Sequence, residues 1–276
     1  MPELPEVQTV VNGLKSKIKN HKILKFKKFT SRLRYPISNS LASQIIGCEV
    51  INVFRRAKYI IINLSNGKSL IIHLGMSGRI IILKNKNQKK IKHTHICIFF
   101  SKNIILQYID PRKFGYIFVI STKTLETHKF FRELGVEPLS TNMNLSYLQK
   151  ILLNKKSPIK NIIMNQKYIV GVGNIYASEA LFISGIDPLK IGNSLTINES
   201  NKLVRAIKNV LKKSIKLGGS SIKDFSSSDG KRGAFQQTFR VYGRNGEHCS
   251  NTDCNKKIIR TIISNRSSFY CPRCQK

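Results

Sequence analysis

The first hydrophobic pattern along the chain has a helical period. Between Pro5 and Lys19 the apolar residues Val7, Val10, Val11, Leu14 and Ile18 recur three and four residues apart, on one face of an amphipathic helix opened by Pro5 at its first position. The period then changes. Short runs rich in β-branched and aromatic residues follow at 23–29, 59–64, 69–74, 80–83, 96–100, 104–109 and 116–120. Such residues suit a pleated, half-buried surface. The breaks Ser65-Asn66-Gly67-Lys68 and Ser101-Lys102-Asn103 carry turn chemistry and predict hairpins. Many short strands separated by turns predict a β-sandwich.

The second half has a different texture. Residues 145–153, 174–184 and 197–217 carry helical patterns. The last of these opens on Thr196 with Glu199, a capping box, and closes at Gly218-Gly219. Gly, Pro, Ser and Asn cluster over 135–144 and mark a boundary. A Ser/Gly/Lys loop runs from Gly219 to Gly233, and a Cys-rich tail follows. No internal repeat is visible. The expected fold class is α+β, divided as 1–134, 135–240 and 241–276.

Composition narrows the class of partner. A chain of 276 residues is long enough for two domains, each with a core. No stretch approaches the roughly 20 apolar residues needed to span a bilayer. Pro2, Glu3 and Glu6 stand where a signal peptide would be basic, so a cytoplasmic location and no membrane partner are expected. With 48 Lys and Arg against 14 Asp and Glu, the formal net charge is +34. A field of that size favours a polyanion, DNA or RNA first. The abundance of Lys, Ile and Asn also fits AT-rich coding, so charge by itself says nothing about chemistry.

Four of the six cysteines fall in the last 28 residues. Cys249-x4-Cys254-x16-Cys271-x2-Cys274 gives two pairs on either side of a β-like stretch at 256–264. Four thiolates so spaced suit a closed, structural Zn²⁺ site, one ion per chain. Disulfides, free thiols, or His248 as a substitute ligand are the alternatives. A hairpin held this way would project Arg260 and Arg266. Cys48 and Cys97 stand alone in apolar surroundings and are expected to be core residues.

Three further features carry possible chemistry. If Met1 is removed, Pro2 becomes a secondary amine with a usable neutral fraction near neutral pH. Amines attack carbonyl-like carbons, and a secondary amine yields a cationic iminium that draws electrons from neighbouring carbons. Glu3 beside it could move protons. The plainer alternative is that Pro-Glu simply starts the first helix. Gly171-Val172-Gly173-Asn174 opens a helix and could present N–H groups to a phosphate; the alternative is a glycine turn capped by Asn174. His73-Leu74-Gly75-Met76-Ser77-Gly78 and Asp110-Pro111-Arg112-Lys113-Phe114-Gly115 are turns whose Met, Arg and Phe could enter a base stack. Burial of the Met and Phe would be the ordinary alternative.

Together and in order, these pieces resemble the bacterial formamidopyrimidine-DNA glycosylase family over essentially the whole chain. The matching stretches are PELPEV from Pro2, RRAKY from Arg55, HLGMSG from His73, DPRKFG from Asp110, GVGNIYASEALF from Gly171, KDF and SDGKRG between Lys223 and Gly233, and VYGR from Val241 with the Cys-rich tail. The resemblance implies an N-terminal β-sandwich catalytic domain, a helix–two-turns–helix DNA-binding domain and a four-cysteine zinc finger. It implies a bifunctional repair enzyme, acting as a monomer on double-stranded DNA. Such an enzyme excises 8-oxoguanine and formamidopyrimidines and cleaves the abasic site by β,δ-elimination. Pro2 is then the nucleophile and Glu3 the acid assisting base loss. Lys58 transfers a proton in β-elimination, and Arg266 serves δ-elimination and phosphate binding. His73, His93, Arg112, Lys156 and Asn174 stand at DNA-contacting positions, and Met76, Arg112 and Phe114 form the trio that fills the vacated stack.

The chain departs from the family pattern at Gln8, where Glu is common, and at Lys113, where a second Arg is. It also departs at Asn161, where Pro is usual, and in the longer first cysteine spacing. Two rivals are the endonuclease VIII branch, which prefers oxidised pyrimidines, and a non-catalytic binding module. PELPE and the DPR-x-F-G turn favour the purine enzyme, and intact Pro2 and Glu3 favour catalysis.

Overall fold

The computed structural model describes residues 2–84, 90–220 and 233–276. Residues 221–232, with the KDF motif and most of SDGKRG, lie outside the described residues. The chain divides into two compact units, one within Met1–Arg132 and Leu217–Ala234, the other within Glu133–Lys216 and Phe235–Lys276.

In the first unit, α1 (Leu4–Ile18) buries Leu4, Val7, Val10, Val11, Leu14 and Ile18. Its extended N-cap is Glu3, so Pro5 falls at the second helical position and not the first. The first four helical N–H groups lack helical partners, so proline costs nothing at either place. Next come β1 (Ile23–Lys28), α2 (Leu41–Ile45), β2 (Val50–Arg56), β3 (Tyr59–Leu64), β4 (Lys68–His73), β5 (Arg79–Leu83), β6 (Thr94–Phe100), β7 (Ile105–Ile109) and β8 (Tyr116–Ser121). Among the described residues these strands form two antiparallel four-stranded sheets, β1-β6-β7-β5 and β2-β3-β4-β8. Val7, Val10, Leu14 and Ile18 join Ile60, Ile62, Leu70, Ile72, Ile80, Ile96, Ile98 and Leu106 in one core. Each such side chain contributes about 1.5–3 kcal/mol when fully buried. The anticipated sandwich is present. The β6–β7 turn places Lys102 and Asn103 at φ 58° and 59°, as a tight hairpin of matching twist demands. Cys48 and Cys97 are buried, as their apolar surroundings suggested.

The second unit holds α3 (Leu145–Leu152), α4 (Ile159–Met164), α5 (Asn174–Ser184) and α6 (Ile197–Lys216), then the hairpin β9 (Ile259–Ile263) and β10 (Arg266–Tyr270). α4 and α5 are joined by two turns stitched by one side chain. Gln166 accepts the Gly171 N–H at 2.7 Å and donates to the carbonyls of Met164 and Val172, each at 3.1 Å. α6 starts with the predicted box: the Thr196 N–H reaches Glu199 at 2.9 Å, and the Glu199 N–H reaches the Thr196 hydroxyl at 3.2 Å. Leu203, Ala206, Ile207, Val210 and Leu211 bury one face of α6. The Tyr176 and Ser214 hydroxyls, 2.7 Å apart, tie α5 to α6. No described helix is long and apolar enough to cross a membrane.

Candidate active site

Pro2 and Glu3 are buried at the head of α1, with Glu3 only 3 % exposed. Glu6, one turn into α1, holds the backbone of Glu3 in place. The Glu3 N–H donates to Oε2 of Glu6 at 2.9 Å. Oε1 of Glu6 accepts the N–H and hydroxyl of Ser220 at 2.7 and 3.0 Å. The turn before Ser220 passes so close that a Cβ on Gly219 would lie 3.0 Å from that oxygen, and Gly219 has φ +80°. An acidic residue in a first helical turn was the signal available, since it also suits the helix dipole.

Lys58 sits at the tip of the β2–β3 hairpin, where Arg56 pairs with Tyr59 and Ala57 takes φ 51°. Arg55 braces that tip from below. Its Nε donates to Gln8 at 3.0 Å and its Nη1 to the Ala57 carbonyl at 2.8 Å. Gln8 thus accepts through its side-chain oxygen, as a carboxylate would. Lys58 is 9 % exposed. His73, at the end of β4, stacks on Tyr116 with ring centroids 4.8 Å apart. Burial, then the charges of Lys58 and Arg34, push His73 down to about 3. Its Nδ1 accepts the Gly75 N–H at 3.0 Å. The neutral ring therefore carries its proton on Nε2, as a donor without charge.

The two turns with the Met, Arg and Phe share one anchor. Asp110 is fully buried. Its Oδ1 accepts the Ser77 hydroxyl at 2.6 Å, and its Oδ2 accepts the Gly115 N–H at 2.8 Å and the Tyr108 hydroxyl at 3.2 Å. The Asp110 N–H donates to the His93 carbonyl at 3.1 Å, which brings exposed His93 to the same knot. A Cβ on Gly75 would lie 2.4 Å from the Gly115 nitrogen, so the turns touch backbone to backbone. Met76 and Phe114 are each 41 % exposed, against the ordinary expectation of burial. The Arg112 guanidinium lies over the Phe114 ring, 4.7 Å from its centroid.

In the second unit Arg266 is exposed at the first position of β10, after a turn in which Ser264 and Asn265 have φ 47° and 61°. Asn174 is the first helical residue of α5; Gly173, not Asn174, is the N-cap. The Asn174 amide donates to the Ser267 carbonyl at 2.8 Å. Lys156 is exposed in the connection ahead of α4. Another support escaped the sequence: buried Glu179 accepts three successive N–H groups, from Arg240, Val241 and Tyr242, at 2.9, 3.0 and 2.8 Å. Burial pushes its carboxyl upward against those hydrogen bonds.

The Sγ atoms of Cys249, Cys254, Cys271 and Cys274 all lie within 4.8 Å of one another. Cys249 and Cys274 are 3.8 Å apart, and Cys254 and Cys271 3.5 Å. Tetrahedral thiolates with metal–sulfur bonds of about 2.3 Å stand about 3.8 Å apart, so the donor set fits a metal ion despite the longer first spacing. His248 is exposed and outside this group.

Comparison with known proteins decides the family. Residues 1–117 match the model of the formamidopyrimidine-DNA glycosylase N-terminal domain, and residues 134–226 that of the formamidopyrimidine-DNA glycosylase H2TH domain. A formamidopyrimidine-DNA glycosylase of Rickettsia bellii is 48% identical over 276 residues, covering 100% of both chains. The chain belongs to the formamidopyrimidine-DNA glycosylase family. The Rickettsia felis formamidopyrimidine-DNA glycosylase is 46% identical over 275 residues, covering 100% of this chain and 98% of its own. A mutant form of Lactococcus lactis Fpg in complex with Fapy-dG DNA superposes with a TM-score of 0.92 at 32% identity, covering 100% of both chains. Lactococcus lactis Fpg with abasic-site DNA gives 0.91 at 31% identity over 99% of each chain. As a member of the formamidopyrimidine-DNA glycosylase family, the chain is a DNA-repair glycosylase, and abasic-site lyase activity is typical of the family.

Proposed function

We propose that Pro2 is the nucleophile with which this glycosylase removes 8-oxoguanine and formamidopyrimidines from double-stranded DNA, and that Glu3 is its acid. The observation that carries this reading is the buried Glu3 directly beside Pro2, held at the helix head by Glu6. Once Met1 is removed, the Pro2 nitrogen attacks C1′ of the damaged nucleotide. Glu3 assists departure of the base or opening of the sugar. The resulting iminium draws electrons through two eliminations, leaving a one-nucleotide gap with phosphate ends. Lys58, on its braced hairpin, moves a proton in the first elimination, and Arg266 serves the second.

The damaged nucleotide must leave the stack, at a cost of about a few kcal/mol. Met76, Arg112 and Phe114 offset that cost by filling the space, supported by their exposure on adjoining turns. His73, His93, Lys156 and Asn174 hold DNA. The four cysteines hold one Zn²⁺, which would fix the hairpin and supply no reacting group. The enzyme acts as a monomer in the cytoplasm, and its formal charge of +34 suits a duplex partner.

Borohydride trapping on a duplex with 8-oxoguanine opposite cytosine tests the reading. A covalent adduct should form with the mature chain and vanish when a residue is added ahead of Pro2. An adduct from the blocked chain would refute Pro2 as nucleophile. Faster cutting of thymine glycol in matched assays would favour the endonuclease VIII branch.

A further inference from the structure

Lys160 breaks two local rules. It is the second residue of α4, where the positive end of the helix dipole disfavours a cation. It is also only 1 % exposed, although a buried charge is costly unless it is well bonded. A residue that violates its local preferences is expected to answer to a tertiary requirement.

The β9–β10 hairpin supplies such a requirement. Lys160 Nζ donates to the Ser268 hydroxyl at 2.6 Å and reaches the Ser267 carbonyl at 3.4 Å. Ser268 is fully buried, and its hydroxyl in turn reaches the Arg266 carbonyl at 3.4 Å. The neighbouring Asn161 donates from its amide to the Ser264 hydroxyl at 2.9 Å, on the other side of the turn. The first turn of α4 therefore grips the hairpin on both sides of Arg266, two residues before it and two after. A charged donor polarises the Ser268 hydroxyl and strengthens the relay toward the Arg266 backbone.

We propose that Lys160 is a positioning residue for Arg266, holding the exposed guanidinium where the second elimination needs it. The proposal rests on the reading of Arg266 given above. Without Nζ, the Ser268 hydroxyl keeps only its long contact with the Arg266 carbonyl, and the strand start, left to its pairing with β9, can drift. Misplacement of a reacting group by about 1 Å costs about 10²-fold in rate. The loss should fall on the step that Arg266 serves and spare the steps assigned to Pro2 and Glu3.

The experiment compares Lys160→Met, Lys160→Gln, Arg266→Ala and the double variant Lys160→Met/Arg266→Ala. The substrate is a duplex with 8-oxoguanine opposite cytosine, and β- and δ-elimination products are resolved on one gel. Borohydride adduct and bound zinc are measured on the same preparations. Lys160→Met should lower the δ-to-β product ratio by about 10–100-fold while excision, adduct and zinc stay near wild type. Lys160→Gln, which keeps an amide donor, should fall between. The double variant should be no worse than Arg266→Ala, because both changes act on one group. If Arg266→Ala kept its δ-product, the reading of Arg266 would fall and this proposal with it. If Arg266→Ala lost it and both Lys160 variants kept it, the positioning role alone would be overturned. Equal loss of excision, adduct, zinc and δ-product in both Lys160 variants would reduce Lys160 to a folding residue and also overturn it.

Discussion

Ser220 gives both its N–H and its hydroxyl to one oxygen of Glu6, at 2.7 and 3.0 Å. The other oxygen of Glu6 receives the N–H of Glu3 at 2.9 Å. Three donors thus converge on one buried carboxylate. In Glu6→Gln the new NH2 must face one of those donors. A buried polar group left unpaired costs about 1–3 kcal/mol, so chemical denaturation should show a loss of that size. Excision should fall as well, because Glu3 loses its brace. A variant as stable and as active as wild type would show that this carboxylate is not needed to set the helix head.

With Pro2 and Glu3 in the proposed roles, base removal and strand cleavage make different demands on the two residues. Departure of the base needs a proton, whereas an abasic site already offers an aldehyde to an amine. Glu3→Gln should therefore lose about 10²–10⁴-fold in 8-oxoguanine excision yet keep much of its cleavage of preformed abasic sites. Pro2→Gly keeps a primary amine and should impair both. Paired assays on the two substrates check this; equal loss of both activities in Glu3→Gln would contradict the division of roles.

Much of the fold can be read from periodicity, and the exceptions have physical causes. α1 and α6 are long enough to repeat an apolar face, whereas α5 is buried on nearly every side and is marked by its length and its glycine start. α2 and α4, at 5 and 6 residues, are shorter than two turns and show no period. β2 carries no clean alternation either, because its register shifts between Val50 and Asn52. The residues proposed to react lie in compact motifs, legible once those motifs are joined. Their supports are not. Glu6 and Ser220 are separated by 214 positions, and Lys160 and Ser268 by 108. No local pattern encodes a contact at such separation.

His73 gives a pH dependence with a definite sign. Burial, and then Lys58 and Arg34, lower it from 6.5 to about 3. The unfolded chain takes up the proton near the ordinary value while the folded chain does not. Stability that is complete above about pH 6.5 is therefore lost as pH falls toward 3. Urea midpoints measured from pH 7 to pH 4 should decline, and His73→Gln should flatten that decline. Because the ring is neutral, the same substitution should weaken DNA binding without changing its salt slope. A change in slope of about one phosphate would mean that the ring binds as a cation.

The metal site can be tested apart from the chemistry. Mature protein should contain about one zinc per chain. Cys271→Ser should loosen the hairpin and weaken duplex binding, while the sandwich keeps its unfolding transition. Arg266→Ala in the intact finger should reduce the salt slope of binding by about one. Metal analysis that found no zinc in fully active protein would remove the basis for this expectation.

Asp110 has a consequence for how these turns tolerate change. One fully buried carboxylate serves Ser77 in one turn and Gly115 in the other. Residues that share a partner do not mutate independently, and their effects combine with interaction energies of about 0.5–3 kcal/mol. Ser77 and Gly115, 38 positions apart in sequence, therefore form a single unit of inheritance. A substitution accepted in one turn alters which substitutions the other can accept, and Met76, Arg112 and Phe114 inherit their placement from both.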